Sequence, residues 1–227
     1  MKRRGGTRVP PVPAALPSPD AVLYQKWLAF LFDRQHTHKK WYNLDDTEFE
    51  ASPDELVALI GLTCRRAGTD LKRFSDRQVA DGLNYIFNNA ASNVIFAICQ
   101  KGVDGWKRVA AVEQMQFLYS DCLAKRCAPL LGHLNEGGDN DLNMLCYMLW
   151  DSSPLCNWKG VVIEVMEAAL YLPNPACVES ALHGLGHRVH HDAEIVEAII
   201  NRFLSKLPGL RPELRQYAIN ARAGCIN

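Results

Sequence analysis

Residues 174–186 read NPACVESALHGLG, and a related stretch, RPELRQYAINARAG, occupies residues 211–224. Each stretch places a proline at its second position, which is typical of a helix start because proline fits the first helical position. Small residues follow at helical spacing and allow another helix to pack closely. Between the two stretches, residues 192–207 predict a second helix, capped by Asp192 and ended by the Pro-Gly pair that follows. The predicted unit is therefore turn, helix, turn, helix.

Helical patterns also recur along the chain from residue 20 onward, and the period-2 alternation of a half-buried strand does not occur. Asp20 and the capping boxes Ser52–Glu55 and Ser75–Gln78 predict three helix starts. Further helices are predicted over residues 92–100, 105–127, 141–151 and 158–171. The fold class is therefore predicted to be all-α, built from stacked antiparallel helix pairs.

The C-terminal third resembles the HEAT-like helical repeat proteins, which are α-solenoids. The residues that carry the resemblance in the first stretch are Pro175, Cys177, Ser180, Ala181, Leu185 and Gly186. Those in the second stretch are Pro212, Leu214, Arg215, Ala218 and Ala221. Arg222 stands where the family pattern has leucine. The resemblance is clearest over residues 174–227 and reaches back to about residue 141 by its helix-pair rhythm. It implies an α-solenoid, and the alternative is an irregular helical bundle.

The composition and length predict a chain that folds without disulfide bonds or bound metal. It has 227 residues, 48% of them hydrophobic, with 25 Lys+Arg and 25 Asp+Glu. A domain of this size buries enough surface to fold without disulfides or metal. Balanced charge argues against a nucleic-acid or anionic-membrane binder, since both need an excess of Lys and Arg. No run reaches the roughly 18 apolar residues of a membrane span. Residues 1–18 are predicted to be a disordered, Pro-rich basic tail, and residues 19–227 a single all-α domain.

The eight cysteines do not form the pattern of a disulfide framework or a zinc knuckle. No CxxC occurs, and most cysteines lie inside apolar helical stretches such as LNMLCYML. A buried free cysteine behaves as a small hydrophobic residue. We therefore predict reduced thiols and a cytoplasmic protein.

The clearest candidates for chemistry lie in the first repeat stretch. Glu179, His183 and His187 follow one another at i, i+4 spacing, so they share one face of a helix. Imidazole and carboxylate groups at this spacing converge on one point, which is compatible with a Zn²⁺ site. The pattern is not HExxH, because no glutamate stands between the two histidines to act as a base. A structural or solvated face, or a partner-binding face that includes Arg188, remains open as an alternative.

No serine-hydrolase, P-loop, dinucleotide-binding or kinase motif is present, so we predict no enzymatic activity and no cofactor. The leading hypothesis is a cytoplasmic protein-binding module, since helix-pair arrays offer extended binding surfaces. In fold and size the chain resembles bacterial immunity proteins that cap a cognate toxin. The predicted partner contacts are Glu179, His183, His187 and Arg188, with Asp45, Asp46, Glu48 and Glu50 as an acidic complement. The alternatives are a metal-dependent hydrolase using His183 and His187, and a nucleic-acid-binding HEAT-like protein.

Overall fold

The computed structural model describes residues 16–34, 39–44, 48–99, 101–136, 140–158 and 160–226. Within these ranges every regular element is a helix and none is a strand, which confirms the predicted all-α class. Most of the predicted N-terminal tail, residues 1–15, lies outside the described residues.

The chain contains a succession of α-helices of very different lengths. In chain order they are α1 (Ala21–Phe32), α2 (Pro53–Asp70), α3 (Asp76–Phe87), α4 (Phe96–Cys99), α5 (Gly105–Glu113), α6 (Met115–Phe117), α7 (Ala124–Arg126), α8 (Asp141–Met148), α9 (Val161–Ala169), α10 (Pro175–Lys206) and α11 (Pro212–Arg222). A π-helical turn, Leu118–Leu123, joins α6 to α7, and 3₁₀ turns occupy Trp41–Asn43, Gly132–Leu134 and Pro154–Asn157. None of these helices is both long and apolar enough to cross a bilayer.

The predicted helix starts are confirmed by their hydrogen bonds. The Asp20 carboxylate accepts from two amides of the first turn of α1, at 2.9 and 3.0 Å. In both capping boxes the bonds run in both directions: Ser52 N donates to Glu55 at 2.8 Å, and Ser75 N donates to Gln78 at 3.0 Å. Each cap satisfies amides that the helix itself leaves unpaired, which is worth about 1 kcal/mol.

One continuous core joins the two halves of the chain. α10 packs against α8, α9 and α11. α3 packs against both α1 and α8, and α5 packs against α9, so helices distant in sequence share the same interior. Trp27 and Trp150 are both fully buried in this core.

α10 consists of two helices with a boundary at Asp192, as predicted, but they meet at a kink where the sequence predicts a turn. Between residues 175 and 206 only Asp192 leaves the helical region, with φ −137° and ψ 40°, and it separates two helices. The Asp192 carboxylate pairs with Arg188 one turn earlier. This pair spans the kink. We refer to residues 175–191 as α10N and to residues 193–206 as α10C.

The cysteines are free thiols, as the sequence predicts. Cys225 is exposed and Cys99 is half-buried, while the other six are buried. Burial raises the pKa of Cys122 and of Cys156 to about 11, so both thiols stay protonated at neutral pH.

Candidate functional site

The predicted histidine face lies in α10N, the most enclosed helical segment of the described chain. The segment begins at Asn174, whose side-chain oxygen accepts from the amide of Ala176 at 3.0 Å, and continues with Pro175 in the first turn. Every residue from 176 to 186 is buried. Polar side chains in this stretch therefore need partners inside the protein, since burying an unpaired polar group is costly.

A glycine allows the end of α8 to approach α10N closely. A Cβ placed on Gly184 would lie 2.7 Å from the indole ring of Trp150 and 2.8 Å from the methyl carbon of Met166. Only glycine leaves room for both side chains. The packing of Trp150 on this glycine brings Asp151, the next residue, to the same side of α10N as the histidines.

Asp151, His183 and His187 form a cluster in which three potential ligand atoms converge. Nε2 of His187 lies 3.1 Å from Nε2 of His183 and 3.1 Å from Oδ1 of Asp151. All three atoms lie within 4.8 Å of one another. The two imidazole rings meet edge to face, with their centroids 4.7 Å apart. His183 is buried, His187 is half-buried and Asp151 is exposed, so the cluster extends from the core to the surface.

Two tyrosines hold His183 from the inner side. Nδ1 of His183 lies 2.6 Å from the hydroxyl of Tyr217, which in turn lies 3.3 Å from the hydroxyl of Tyr147. The Tyr147 ring also packs on the imidazole, with centroids 4.6 Å apart. Burial, and next the proximity of His187, lower the pKa of His183 to about 4. The imidazole is therefore neutral at neutral pH.

Glu179 belongs to a different network, which corrects the predicted ligand set. Its side chain is 1% exposed, and its carboxylate accepts from the amide of Gly132 at 2.6 Å and from the amide of His133 at 3.0 Å. The same carboxylate contacts the His133 ring. It therefore anchors the 3₁₀ turn Gly132–Leu134 to α10N, and Asp151 supplies the carboxylate beside the two histidines.

Arg188 is likewise an internal residue. It is 1% exposed and donates from Nη1 to the carbonyl of Cys156 at 2.6 Å, while Nη2 pairs with Asp192. Its guanidinium ties the 3₁₀ turn Pro154–Asn157 to the kink in α10. The expectation of an exposed contact face is therefore wrong for three of its members, whose side chains are buried: Glu179, His183 and Arg188.

The predicted acidic complement is described only in part. Glu48 and Glu50 are exposed, whereas Asp45 and Asp46 lie outside the described residues. Partner binding by Glu48 and Glu50 stays a prediction.

A second candidate site, the α9–α10C groove, lies between these two segments. Its volume is about 630 Å³. The lining residues are Gly160, Ile163, Glu164, Glu167, Asp192, Glu194, Ile195, Ala198, Ile199 and Arg202. The floor is apolar, and Ile195 leaves 51% of its surface exposed to solvent.

The rim of the groove is acidic, and only some of its carboxylates are paired with an arginine. Glu167 pairs with Arg202 at 2.6 Å, and Asp192 pairs with the buried arginine of α10N. Within the described residues, Glu164 and Glu194 form no ion pair, and both are exposed. The groove therefore combines an accessible apolar floor with free negative charge.

Comparison with known proteins gives no match to a family model, to a curated protein or to a solved structure. The resemblance to HEAT-like repeats stays a prediction.

The sequence contains weak signals for the residues that it did not assign to a site. Tyr217 lies in the second repeat stretch, and Asp151 is the last residue of the predicted helix 141–151. Neither position has a spacing relation to His183 along the chain. Both reach it through the packing of α8 and α11 on α10N, which no local pattern encodes.

Proposed function

We propose that this chain is a protein-binding module whose α9–α10C groove takes a cationic amphipathic helix of a partner protein. The observation that carries the proposal is the accessible apolar floor of the groove bordered by carboxylates. The partner helix would place aliphatic side chains in the groove and lysine or arginine side chains at its rim.

The apolar part of the groove supports this occupant. Ile195 projects from α10C beside Ile163 and Ile199, whose side chains are buried below it. Covering exposed aliphatic surface is favourable by about 25 cal/mol per Å². A helix with apolar residues at i, i+3, i+4 and i+7 presents a matching stripe.

The charge of the groove selects the sign of the partner. Glu164 and Glu194 are exposed on opposite sides of the floor, one on α9 and one on α10. Opposite charge across an interface accelerates association and rejects partners of the same sign. Binding is therefore expected to weaken as the salt concentration rises.

Two designed peptides of identical apolar pattern test the proposal. One carries lysine and the other glutamate at all polar positions of an amphipathic helix, and fluorescence anisotropy measures the binding of each to the full chain. We expect the lysine peptide to bind and the glutamate peptide to bind at least about tenfold more weakly. Equal binding of both peptides, or of neither, overturns the proposal.

Charge-reversal variants locate the binding site. Glu164→Lys combined with Glu194→Lys should weaken the lysine peptide by about tenfold or more, because the attraction becomes repulsion. Glu197→Lys is the matched control, since Glu197 is exposed on α10 but does not line the groove. An equal loss in the control variant places the peptide elsewhere and contradicts the assignment.

An immunity role, in which the partner is a toxin, stays a prediction about biological use. A secreted toxin encoded beside this gene, and inhibited by the purified chain, would support it. A toxin that remains fully active with the chain in excess would count against it.

The proposal for the finer architecture is that residues from about 141 onward stack as HEAT-like helix pairs. It is supported by the packing of α10 against both α9 and α11, which precede and follow it in the chain. In an experimental structure, successive helix pairs related by one repeated rotation would confirm it, and unrelated rotations would favour an irregular bundle.

A further inference from the structure

The Asp151–His183–His187 cluster points to a ligand that the groove does not account for. We propose that these three side chains bind one Zn²⁺ ion, through Oδ1 of the aspartate and Nε2 of each histidine. The site is independent of the peptide groove, and its test does not depend on any partner.

The spacing of the ligand atoms is close to that of a zinc site. Two ligand atoms that each lie about 2.0–2.1 Å from a tetrahedral ion are about 3.3 Å apart. Here Nε2 of His187 lies 3.1 Å from both of the other ligand atoms. For the remaining pair, a ligand atom of His183 and one of Asp151 lie within 4.8 Å of each other. A rotation of the exposed aspartate side chain shortens this last separation without disturbing the core.

The helix itself fixes two of the ligands. Residues at i and i+4 lie one above the other on a helix, so the imidazoles of His183 and His187 face the same point. The two Nε2 atoms are in contact, so their lone pairs repel each other unless one of the nitrogens carries a proton. A cation between the nitrogens satisfies both lone pairs, as neutral imidazoles do in metal sites.

The inner side of the cluster has the second layer of contacts that metal-bound histidines typically show. Zinc ligation by Nε2 requires the proton of His183 on Nδ1, and the Tyr217 hydroxyl lies 2.6 Å from that atom, where it accepts this N–H. The Tyr147 ring, tilted by 57° against the same imidazole, restricts its rotation. Tyr217 is thus a positioning residue that fixes both the tautomer and the ring orientation of one ligand.

The outer side of the cluster gives the ion a way in. Side-chain exposure is 34% for His187 and 41% for Asp151, so solvent reaches the point where the ligand atoms meet. Three protein ligands leave the fourth tetrahedral position to a water molecule. The arrangement is that of an accessible site and not of a closed structural zinc site, in which the protein supplies all four ligands.

Zinc titration of the full chain tests the site directly. The protein is stripped with chelator, kept reduced, and prepared with Cys225→Ser so that the exposed thiol cannot bind the metal. Isothermal titration with ZnCl₂ should show one ion per chain, and Co²⁺ should give the intense visible absorption of a tetrahedral complex. Absence of stoichiometric zinc binding overturns the proposal.

Variants on the exposed side of the cluster keep the core intact. His187→Ala should weaken zinc by about 100-fold, and Asp151→Asn by about tenfold, because each removes one ligand. The matched control is His190→Ala combined with His191→Ala, since both histidines are exposed on the same helix outside the cluster. Unchanged affinity in His187→Ala, or an equal loss in the control, assigns the metal to another place and overturns the site.

Tyr217→Phe separates positioning from folding. Removing the hydroxyl should weaken zinc by about tenfold and alter the Co²⁺ spectrum, because the tautomer and orientation of His183 are no longer held. A purely structural role would lower thermal stability but leave the zinc affinity and the spectrum as in the wild type. That result would contradict the role assigned to Tyr217.

Discussion

The two helices of α10 adjoin each other at the kink but differ in how far the protein covers them. α10N is surrounded by protein, and all its residues from 176 to 186 are buried. α10C buries a single stripe and exposes its remaining face to solvent. The members of that stripe are Val196, Ile199, Ile200 and Phe203. Exposed side chains begin just before the kink at Asp192, with His190 and His191.

This difference shows how burial decides what a polar side chain does. In α10N the polar groups are committed to fixed internal partners: Glu179 to two amides, His183 to Tyr217 and Arg188 to a carbonyl. Such a network is rigid, which suits the coordination of an ion. In α10C the charged groups stay in water, where they remain available to a mobile partner.

Replacing one arginine in each part tests this difference most directly. Arg188→Met should cost about 3 kcal/mol of unfolding free energy, because it leaves a buried carbonyl and the Asp192 carboxylate without their donor. Arg202→Met should cost less than about 1 kcal/mol, since its pair with Glu167 is exposed. Urea denaturation measures both. Equal losses would show that the two parts are not different in this respect.

Two neighbouring residues of α10C, the exposed Ile195 and the buried Val196, test whether this helix is amphipathic. Val196→Ala should cost about 2 kcal/mol, because it leaves a cavity in a fully buried site. Ile195→Ala should change the free energy of unfolding by less than about 0.5 kcal/mol, since half of this side chain is already in water. Denaturation midpoints of the two variants give the comparison. A large loss for Ile195→Ala would mean that the groove is closed in solution.

The close packing of α10N predicts a smaller effect at its glycine. In Gly184→Ala the added methyl group meets Trp150, and overpacking of this kind costs about 2 kcal/mol. Alanine regains about 1 kcal/mol through its better helix propensity. The net loss should be about 1 kcal/mol, and the displaced indole should also weaken zinc through Asp151. Gly209→Ala, where a Cβ meets nothing within 4 Å, is the control and should be almost neutral.

The smallest expected effect concerns a half-buried ion pair between Glu136 and Arg211. The Arg211 guanidinium, and next the amide of Leu131, lower the pKa of Glu136 from 4.5 to about 2. Because the folded state holds the charged form, its stabilisation is present above pH 4.5 and is lost as the pH falls towards about 2. The stability difference between wild type and Glu136→Gln should shrink across this window. A difference that stays constant with pH would contradict the pairing.

Local structure was largely predictable from the sequence. The caps at Asp20, Ser52 and Ser75 form as predicted, because the donor and acceptor lie within three residues of each other. The predicted boundary near Asp192 marks a real irregularity, but there is no loop there. The two helices adjoin directly at the kink, and the Arg188–Asp192 pair lies across it.

The helical class, several helix starts and the i, i+4 spacing of His183 and His187 can all be predicted without coordinates. These depend on hydrogen bonds and side-chain periodicity within a few residues. Three features are visible only in the folded molecule: Asp151 joins the histidines, Glu179 contacts the 3₁₀ turn Gly132–Leu134, and α10C is partly uncovered. Such contacts arise from the packing of helices distant along the chain, and side-chain volume and burial fix that packing where no local pattern records it.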